Sequence, residues 1–265
     1  MQDGFIRTRG KLNAGEYKLP GNVSSQFISG MMFALSLLYA DSKIVITTPL
    51  ESASYVNMTM AAMRELGAIV EWENDNVIYV RGGQKYNAKE LTVEGDFSGA
   101  AFIDAFNHLG GNVRLGGLNE NSLQGDRVYS ELFRLLDEGN PEISIANCPD
   151  LAPILFTLAA MKNGASFTDT RRLRIKESDR AKVMADELSK FGADIHVGEN
   201  EVIVKGGNLH SPSEILLSHN DHRVVMSLAV ISSVFGGVID GCEAVKKSYP
   251  DFFSDIEKLG IKFKL

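Results

Sequence analysis

Hydrophobic residues recur along this chain at helical spacing in several places, each time after a short polar segment. After Ser178, a favourable N-cap, the apolar residues Met184, Leu188 and Phe191 are spaced by four and three positions, as on one face of a helix. The segment 224–231 is apolar nearly all round, so we expect that helix to be buried. Similar patterns predict helices over residues 27–38, 151–161 and 252–259.

Two stretches of the chain, residues 60–83 and 184–207, repeat one unit. Each begins with an amphipathic helix that ends at a glycine and continues as a strand, a polar turn and a second strand. Weaker copies occur at residues 132–139 and 256–263. We therefore predict an α/β (α+β) protein built from repeated modules. Equivalent modules tend to present their helix starts on a common side.

A boundary between two domains is predicted around residues 93–96. One module has just closed with its strands there, and the small residues at 98–101 begin a new helix. No low-complexity linker marks the junction. We expect a first, partial domain over residues 1–94 and a second domain over residues 95–265.

Composition narrows the classes of function. With 265 residues, of which 44% are hydrophobic, the chain can bury a large core. Its formal net charge of −7 argues against a general attraction to nucleic acid or to anionic membranes. The first residues lack the basic and then apolar layout of a signal peptide, and no apolar run approaches the ~18 residues that span a bilayer. We expect a cytoplasmic protein that captures any anionic ligand with a local cluster.

The cysteines and histidines do not suggest a metal site. Cys148 and Cys242 are the only cysteines and lack the spacing of zinc ligands, so we expect two reduced thiols. The five histidines form no pattern such as His-x-x-x-His. We therefore expect neither a metal nor another cofactor.

Residues 174–180 pack three cations and two carboxylates into the approach to a helix. The start of a helix favours bound anions, because its N–H groups are unpaired and its dipole is positive there. Taken alone, such a run is more often a solvated helix start with local ion pairs. Four further helix starts carry similar polar clusters, at residues 21–26, 149–150, 220–223 and 245–251. Five such clusters predict one convergent site.

Several residues in these clusters have two interpretations. Ser24 and Ser25 offer hydroxyl and N–H groups suited to a phosphate monoester, or they are N-cap serines. Arg180 and Arg223 suit a phosphate or carboxylate, or they pair with Asp179 and Asp221 within the protein.

The acid–base candidates also remain open at this point. Asp150 could take a proton from a substrate hydroxyl or could cap a helix. Glu177 and Lys247 could form a proton-transferring pair, because an ammonium beside a carboxylate tunes both groups. Spacing does not distinguish Lys247 from Lys246.

Six segments together carry a signature that runs across nearly the whole chain. They are Leu-Pro-Gly-Asn-Val-Ser-Ser-Gln-Phe at 19–27, Ser-Leu-Gln-Gly-Asp at 122–126, Pro-Asp at 149–150, Arg-Ile-Lys-Glu-Ser-Asp-Arg at 174–180, Asn-Asp-His-Arg at 220–223 and Lys-Ser-Tyr-Pro-Asp at 247–251. In order and separation they resemble the 5-enolpyruvylshikimate-3-phosphate (EPSP) synthase family.

That resemblance implies transfer of the enolpyruvyl group of phosphoenolpyruvate to the 5-hydroxyl of shikimate 3-phosphate, in the shikimate pathway of aromatic amino-acid biosynthesis. It implies two domains of repeated βαβαββ units, and no cofactor. The implied contacts with the shikimate phosphate, which lie in the first domain, are Ser24, Ser25, Gln26, Ser52 and Tyr55.

The remaining roles also follow from the resemblance. Asp150 and Lys176 match groups that hold the shikimate hydroxyls, and Asp150 is also a candidate base. Glu177 matches the proton donor to the methylene carbon of phosphoenolpyruvate. The residues that match the phosphoenolpyruvate clamp are Gln26, Arg180, Arg223 and Lys247.

The chain departs from the family pattern because counterparts of the family's N-terminal half are absent from it. We therefore expect the C-terminal portion of such a synthase, with one incomplete domain, the missing half as a partner, and little or no turnover alone. A catalytically silent binding or scaffold fragment is the main alternative. A transferase acting on UDP-N-acetylglucosamine is a weaker one.

Overall fold

The computed structural model describes residues 7–264, and the chain forms two compact units, Met1–Thr92 and Val93–Leu265. The first, unit 1, contains one mixed sheet and two helices. In chain order its elements are β1 (Glu16–Leu19), α1 (Ser25–Ser36), β2 (Ser42–Ile46), α2 (Ala53–Glu65), β3 (Val70–Asn74) and β4 (Val77–Val80).

The sheet of unit 1 has the strand order β1-β2-β4-β3. Strands β1 and β2 are parallel, and β4 runs antiparallel to both of its neighbours. Helix α1 buries Ile28, Met32 and Leu35, which fall on one face, and these residues share a core with buried side chains of the sheet. The unit therefore has the order βαβαββ, and both of its helices follow the carboxyl end of a parallel strand.

The second unit, unit 2, is larger. Its elements are α3 (Phe97–Asp104), α4 (Tyr129–Glu138), β5 (Glu142–Ser144), α5 (Ala152–Met161), β6 (Gly164–Thr168), α6 (Arg180–Ser189), β7 (Asp194–Val197), β8 (Glu201–Lys205), β9 (Leu216–Leu217), α7 (His222–Phe235), β10 (Ile239–Asp240) and α8 (Phe252–Lys258). Several short 3₁₀ turns connect them, among them Pro149–Leu151 before α5 and Cys242–Lys247 before α8.

Unit 2 repeats the topology of unit 1. Its main sheet has the order β5-β6-β8-β7, again with one parallel pair and an antiparallel hairpin, and β9 and β10 form a second, parallel pair. Helix α5 and the first ten residues of α7 are buried nearly all round. The α/β fold class, the repeated module and the buried helix over residues 224–231 are thereby confirmed.

One predicted helix start is wrong. Helix α6 begins at Arg180, and Asp179 is its N-cap, accepting a hydrogen bond from the backbone N–H of Lys182 at 3.3 Å. Ser178 does not cap the helix, because its hydroxyl donates to the buried carboxylate of Asp221 at 3.0 Å. A tertiary partner thus replaces the local one.

Three further observations concern residues 7–264. No helix there is long and apolar enough to cross a membrane. Both thiols, Cys148 and Cys242, are free. No group of three or more His, Cys, Asp or Glu side chains in that range is arranged to hold a metal ion.

Candidate active site

Asp150 lies at the centre of a cluster of cations in unit 2. The 3₁₀ turn Pro149–Leu151 presents it just before α5. Its Oδ1 contacts Lys176 Nζ at 3.2 Å and Arg180 Nη1 at 2.7 Å, and its Oδ2 contacts Arg223 Nη2 at 3.1 Å. Three predicted cations from two separate segments, 174–180 and 220–223, therefore surround one predicted carboxylate.

Arg180 links this cluster to two further carboxylates. Its side chain is 0% exposed, at the start of α6. Nε donates to Asp221 Oδ2 at 2.9 Å, and Nη2 donates to Glu177 Oε2 at 2.6 Å. Asp221 is also fully buried, and it caps α7 by accepting the N–H of Arg223 at 2.9 Å. Glu177 is the most accessible of the three carboxylates, with 40% of its side chain exposed.

The charges of this cluster decide its protonation. Burial alone would raise the pKa of Asp150, but the positive charges of its three partners, Arg223 first, outweigh burial and hold the pKa well below its ordinary value. The pKa of Asp221 is lowered in the same way, since the charge of Arg180 outweighs the cost of burial. Both carboxylates are therefore anionic, and the cations around them are held in fixed positions.

Arg223 makes two contacts that the sequence did not predict. Its Nη1 donates to the hydroxyl of Ser98, at the start of α3, and to the backbone carbonyl of Asp150 at 3.4 Å. Its Nε is buried and has no hydrogen-bond partner among the described residues. Ser98 lies in a run of small residues, and nothing in that run pointed to a contact with an arginine 125 residues away.

Asp126 is a second buried acid beside this cluster. Burial, and then the charge of Asp150, raise its pKa to about 7. Ser98 donates a side-chain hydrogen bond to Asp126, while Oδ1 of Asp126 has no partner within residues 7–264. The Gln-Gly-Asp segment at 124–126 was noted in the sequence, but its aspartate was not recognised as a site residue.

Lys247 lies at the edge of the cluster. Its ammonium donates to the backbone carbonyl of Asn220, in the turn that leads into α7. Since Asn220 precedes Asp221, this contact brings Lys247 to the start of the helix that carries Arg223. The structure thus places Lys247 beside the start of α7, and its role as a site residue stays a prediction.

In unit 1, the predicted phosphate contacts lie at the starts of α1 and α2. Ser24 is the N-cap of α1 and accepts the N–H of Gln26 at 3.3 Å, while Ser25 is buried in the first turn. Ser52 precedes α2 in a left-handed conformation, with φ +56°, and its carbonyl accepts the N–H of Tyr55 at 3.1 Å.

The two helix starts of unit 1 are joined by hydrogen bonds. Thr48 Oγ1 accepts the N–H groups of Gly21 and Asn22 at 2.9 and 3.2 Å, and the N–H of Glu51 donates to the carbonyl of Gly21 at 3.2 Å. Gly21 has no room for a side chain, because a Cβ there would lie 2.8 Å from Ile46 Cγ2 and 2.8 Å from the Thr48 carbonyl. The predicted site residues thus form two clusters, one in each unit.

The fold resembles that of solved transferases. EPSP synthase from Acinetobacter baumannii matches with a TM-score of 0.65 and 24% identity, over 95% of this chain and 64% of that one. The enolpyruvyl transferase NikO from Streptomyces tendae matches with a TM-score of 0.67 and 16% identity, over 96% of this chain and 66% of that one. This is the fold of the enolpyruvyl transferases.

Sequence similarity identifies the family within that fold. The family model of EPSP synthase (3-phosphoshikimate 1-carboxyvinyltransferase) matches residues 5–256. Proteins of the name 3-phosphoshikimate 1-carboxyvinyltransferase from Clostridium acetobutylicum and Clostridium kluyveri are each 40% identical over 96% of this chain. The chain belongs to the EPSP synthase family, and it spans 63% and 64% of the length of those two relatives.

Proposed function

We propose that this chain contributes to transfer of the enolpyruvyl group of phosphoenolpyruvate to the 5-hydroxyl of shikimate 3-phosphate, with release of phosphate. The observation that carries the proposal is the cluster in unit 2, where Lys176, Arg180 and Arg223 surround Asp150. The names of the relatives support this reaction over transfer to UDP-N-acetylglucosamine.

Phosphoenolpyruvate carries a phosphate and a carboxylate, and it needs cations in fixed positions. Arg223 is anchored by Ser98 and Asp150 and has one buried N–H group, at Nε, without a partner. Lys247 donates to the carbonyl of Asn220, three residues before Arg223 in the chain. We assign these two residues to the anion because a planar fork and a mobile ammonium together suit a phosphate. Arg180 is the third cation assigned to phosphoenolpyruvate, through the side of its guanidinium that contacts Glu177.

Asp150 is proposed to bind the shikimate hydroxyl and to accept its proton. While three cations contact it, its pKa lies well below the ordinary value, so it is a weak base. An incoming anion binds the same cations and weakens their attraction to the Asp150 carboxylate, which favours the protonated form of Asp150. Binding of phosphoenolpyruvate therefore makes Asp150 a stronger base when the acceptor hydroxyl is to be activated.

Glu177 is proposed to donate the proton to C3 of phosphoenolpyruvate while the hydroxyl oxygen bonds to C2. It can leave Arg180 because it is the most exposed of that arginine's partners. Loss of phosphate from C2 and return of one C3 proton to Glu177 then restore the double bond. The cations stabilise the negative charge that leaves with the phosphate.

In unit 1, we assign the phosphate of shikimate 3-phosphate to the start of α1, at Ser24, Ser25 and Gln26. Hydroxyl and N–H groups at a helix N-terminus suit a phosphate dianion. Ser52 and Tyr55 provide the second helix start in the same unit. We also propose that the two compact units correspond to the two domains of the family, and that the protein works in the cytoplasm.

A split-enzyme assay tests the proposal. The chain would be mixed with the portion of the Clostridium acetobutylicum relative that it does not span. Release of phosphate in the presence of both substrates would then be followed. We expect little turnover by the chain alone and clear turnover by the mixture, because the reaction requires its groups at close tolerance.

The matched variants are Glu177→Gln, which should abolish the restored turnover, and Glu214→Gln, at an exposed position, which should not change it. A mixture that stays inactive while the chain binds both substrates would favour the scaffold alternative. Full turnover by the chain alone would contradict the role of the partner.

A further inference from the structure

We propose that Glu187 is a positioning residue, which holds the turn at residues 217–221 in the conformation that places Lys247 and Arg223. It lies in the last turns of α6, and its hydrogen bonds within residues 7–264 go to Lys190, Leu217 and His219, none of which is a proposed substrate-binding group. The inference deepens the proposed function, because it names the part of unit 2 that sets the geometry of the phosphoenolpyruvate clamp.

The Glu187 carboxylate is almost completely buried, with 1% of the residue exposed, and it has three partners. Oε2 accepts the backbone N–H of Leu217 at 2.8 Å and the ammonium of Lys190 at 2.8 Å. Oε1 contacts Nε2 of His219 at 2.9 Å. Two of the three partners belong to the turn, one at its first residue and one at its third.

The backbone of this turn is strained. His219 and Asn220 both have left-handed conformations, with φ +50° and φ +56°. Consecutive residues other than glycine stay in that region only where surrounding contacts impose it. Inside the turn, the Ser218 hydroxyl oxygen accepts the N–H of Asn220 at 3.2 Å, and the Ser218 carbonyl accepts the N–H of Asp221 at 2.9 Å. Glu187 ties the first and third residues of the turn to helix α6, while Asp221 ties the last residue to the start of the same helix through Arg180.

The strained conformation has consequences at the site. It points the Asn220 carbonyl at the ammonium of Lys247. It also delivers Asp221 to the start of α7, where its carboxylate caps the helix and holds Arg180. If the turn relaxes, Lys247 loses its hydrogen-bond acceptor. The first residues of α7, including Arg223, are then no longer held in position by the Asp221 cap.

A purely structural ion pair between Glu187 and Lys190 is the competing explanation. That pair joins residues three apart on one helix, and the Lys190 ammonium also donates to the carbonyl of Ile215, two residues before the turn, at 2.9 Å. A buried carboxylate is costly unless all of its lone pairs are used, and here the turn supplies two of the three partners. The two explanations differ in what removal of Lys190 does.

The test uses Glu187→Gln, Glu187→Ala and Lys190→Met in the whole chain, below the unfolding temperature of each variant. Hydrogen exchange of the Leu217 and Asp221 amides measures how often the turn opens, independently of any function. Calorimetric titration with phosphoenolpyruvate measures the affinity of the proposed phosphoenolpyruvate site. We expect Glu187→Ala to speed both exchanges at least tenfold and to weaken phosphoenolpyruvate binding about tenfold, with Glu187→Gln in between.

Lys190→Met should have a clearly smaller effect than Glu187→Ala on both measurements, because Glu187 keeps its contacts with Leu217 and His219. The exposed control Glu214→Gln should leave both within about twofold of the unchanged chain. In a Lys247→Met background, Glu187→Ala should weaken binding much less, because the lysine that the turn positions is gone. A structural role alone would not produce this coupling.

The inference would be overturned if Glu187→Ala left the Leu217 amide protected, or if Lys190→Met reproduced its effects. It would also be overturned if the losses in the double variant simply added. If the unchanged chain fails to bind phosphoenolpyruvate, the proposed function fails, and the exchange rates alone then decide whether Glu187 holds the turn.

Discussion

The two βαβαββ modules, residues 16–80 and 142–205, share one topology but differ in what they place at their helix starts. In unit 1 the helices begin with uncharged residues, the N-cap Ser24 and the first residue Ser25 in α1, and Ser52 just before α2. In unit 2 the corresponding starts carry Asp150 and the fully buried Arg180. The shared backbone fixes where the site residues lie, and a few side chains decide what each site can bind.

The two modules also differ in the interactions that stabilise their helix starts. The starts in unit 1 are joined by backbone and hydroxyl hydrogen bonds around Thr48. Those in unit 2 depend on a chain of charges from Asp150 through Arg180 to Asp221. Buried ion pairs are costly to break, because the partner left behind remains charged in a medium of low polarity. Unit 2 should therefore respond to charge and pH where unit 1 does not.

The largest effect is expected from Arg180→Met. The change leaves the fully buried Asp221 without its cation, which should destabilise unit 2 by about 3–5 kcal/mol. Hydrogen exchange of amides in α5 and α7 would measure this. Fluorescence of Trp72, the single tryptophan and a residue of β3, would show that unit 1 is unchanged.

The control for Arg180→Met is Arg134→Met. Arg134 contacts Glu131 and Glu138 on the exposed face of α4, where water screens the pair. A loss of stability as large as that of Arg180→Met would show that burial of the charge is not the cause.

The next effect is a dependence on pH through Asp126. Its folded pKa of about 7 lies above the ordinary value near ~3.9, so the folded state keeps a proton that the unfolded state has lost. Stability should fall as pH rises from about 4 to about 7 and then level off. Asp126→Asn removes this loss, so the variant should gain up to about 4 kcal/mol over the unchanged chain at pH 8.

Unfolding by urea at pH 5 and pH 8 checks the difference. A gain that is equal at both pH values would contradict the raised pKa. Trp72 fluorescence should again show no pH-dependent change between the two proteins, since Asp126 belongs to unit 2.

A smaller effect is expected in unit 1 from Gly21→Ala. The added Cβ would collide with Ile46 and the Thr48 carbonyl, which should cost about 1–3 kcal/mol. Gly30→Ala is the matched control, since nothing lies within 4 Å of a Cβ there. Because Gly30 lies inside α1, alanine should stabilise the helix by roughly 0.5–1 kcal/mol. Urea unfolding followed by Trp72 fluorescence distinguishes the two, and equal losses would contradict the close contact at Gly21.

Local patterns in the sequence were sufficient for much of the fold. The helices at 27–38, 151–161, 224–231 and 252–259 and the repeated hairpins follow from periodicity and from glycines at helix ends, which depend on neighbouring residues alone. Ser178 shows the limit of that reasoning. Its hydroxyl was expected to cap α6, and instead it bonds to Asp221, 43 residues away.

The cluster in unit 2 was predictable where its residues lie in charged segments, as for Glu177, Arg180 and Arg223, whose roles in the reaction stay predictions. It was not predictable where an ordinary residue gains its role through a distant contact. Ser98 meets Arg223 across 125 residues, and the raised pKa of Asp126 depends on burial and on Asp150. Such contacts require the assembled core, and no local spacing encodes them.

The central claim is that the cations around Asp150 form the phosphoenolpyruvate site. Calorimetric titration of the whole chain with phosphoenolpyruvate tests it most directly, using Arg223→Met and Lys247→Met, with Lys246→Met as the neighbouring control. We expect binding that weakens at least tenfold in the first two variants and stays within twofold in the control. Binding that is absent from the unchanged chain, or that is equal in all four proteins, would contradict the account.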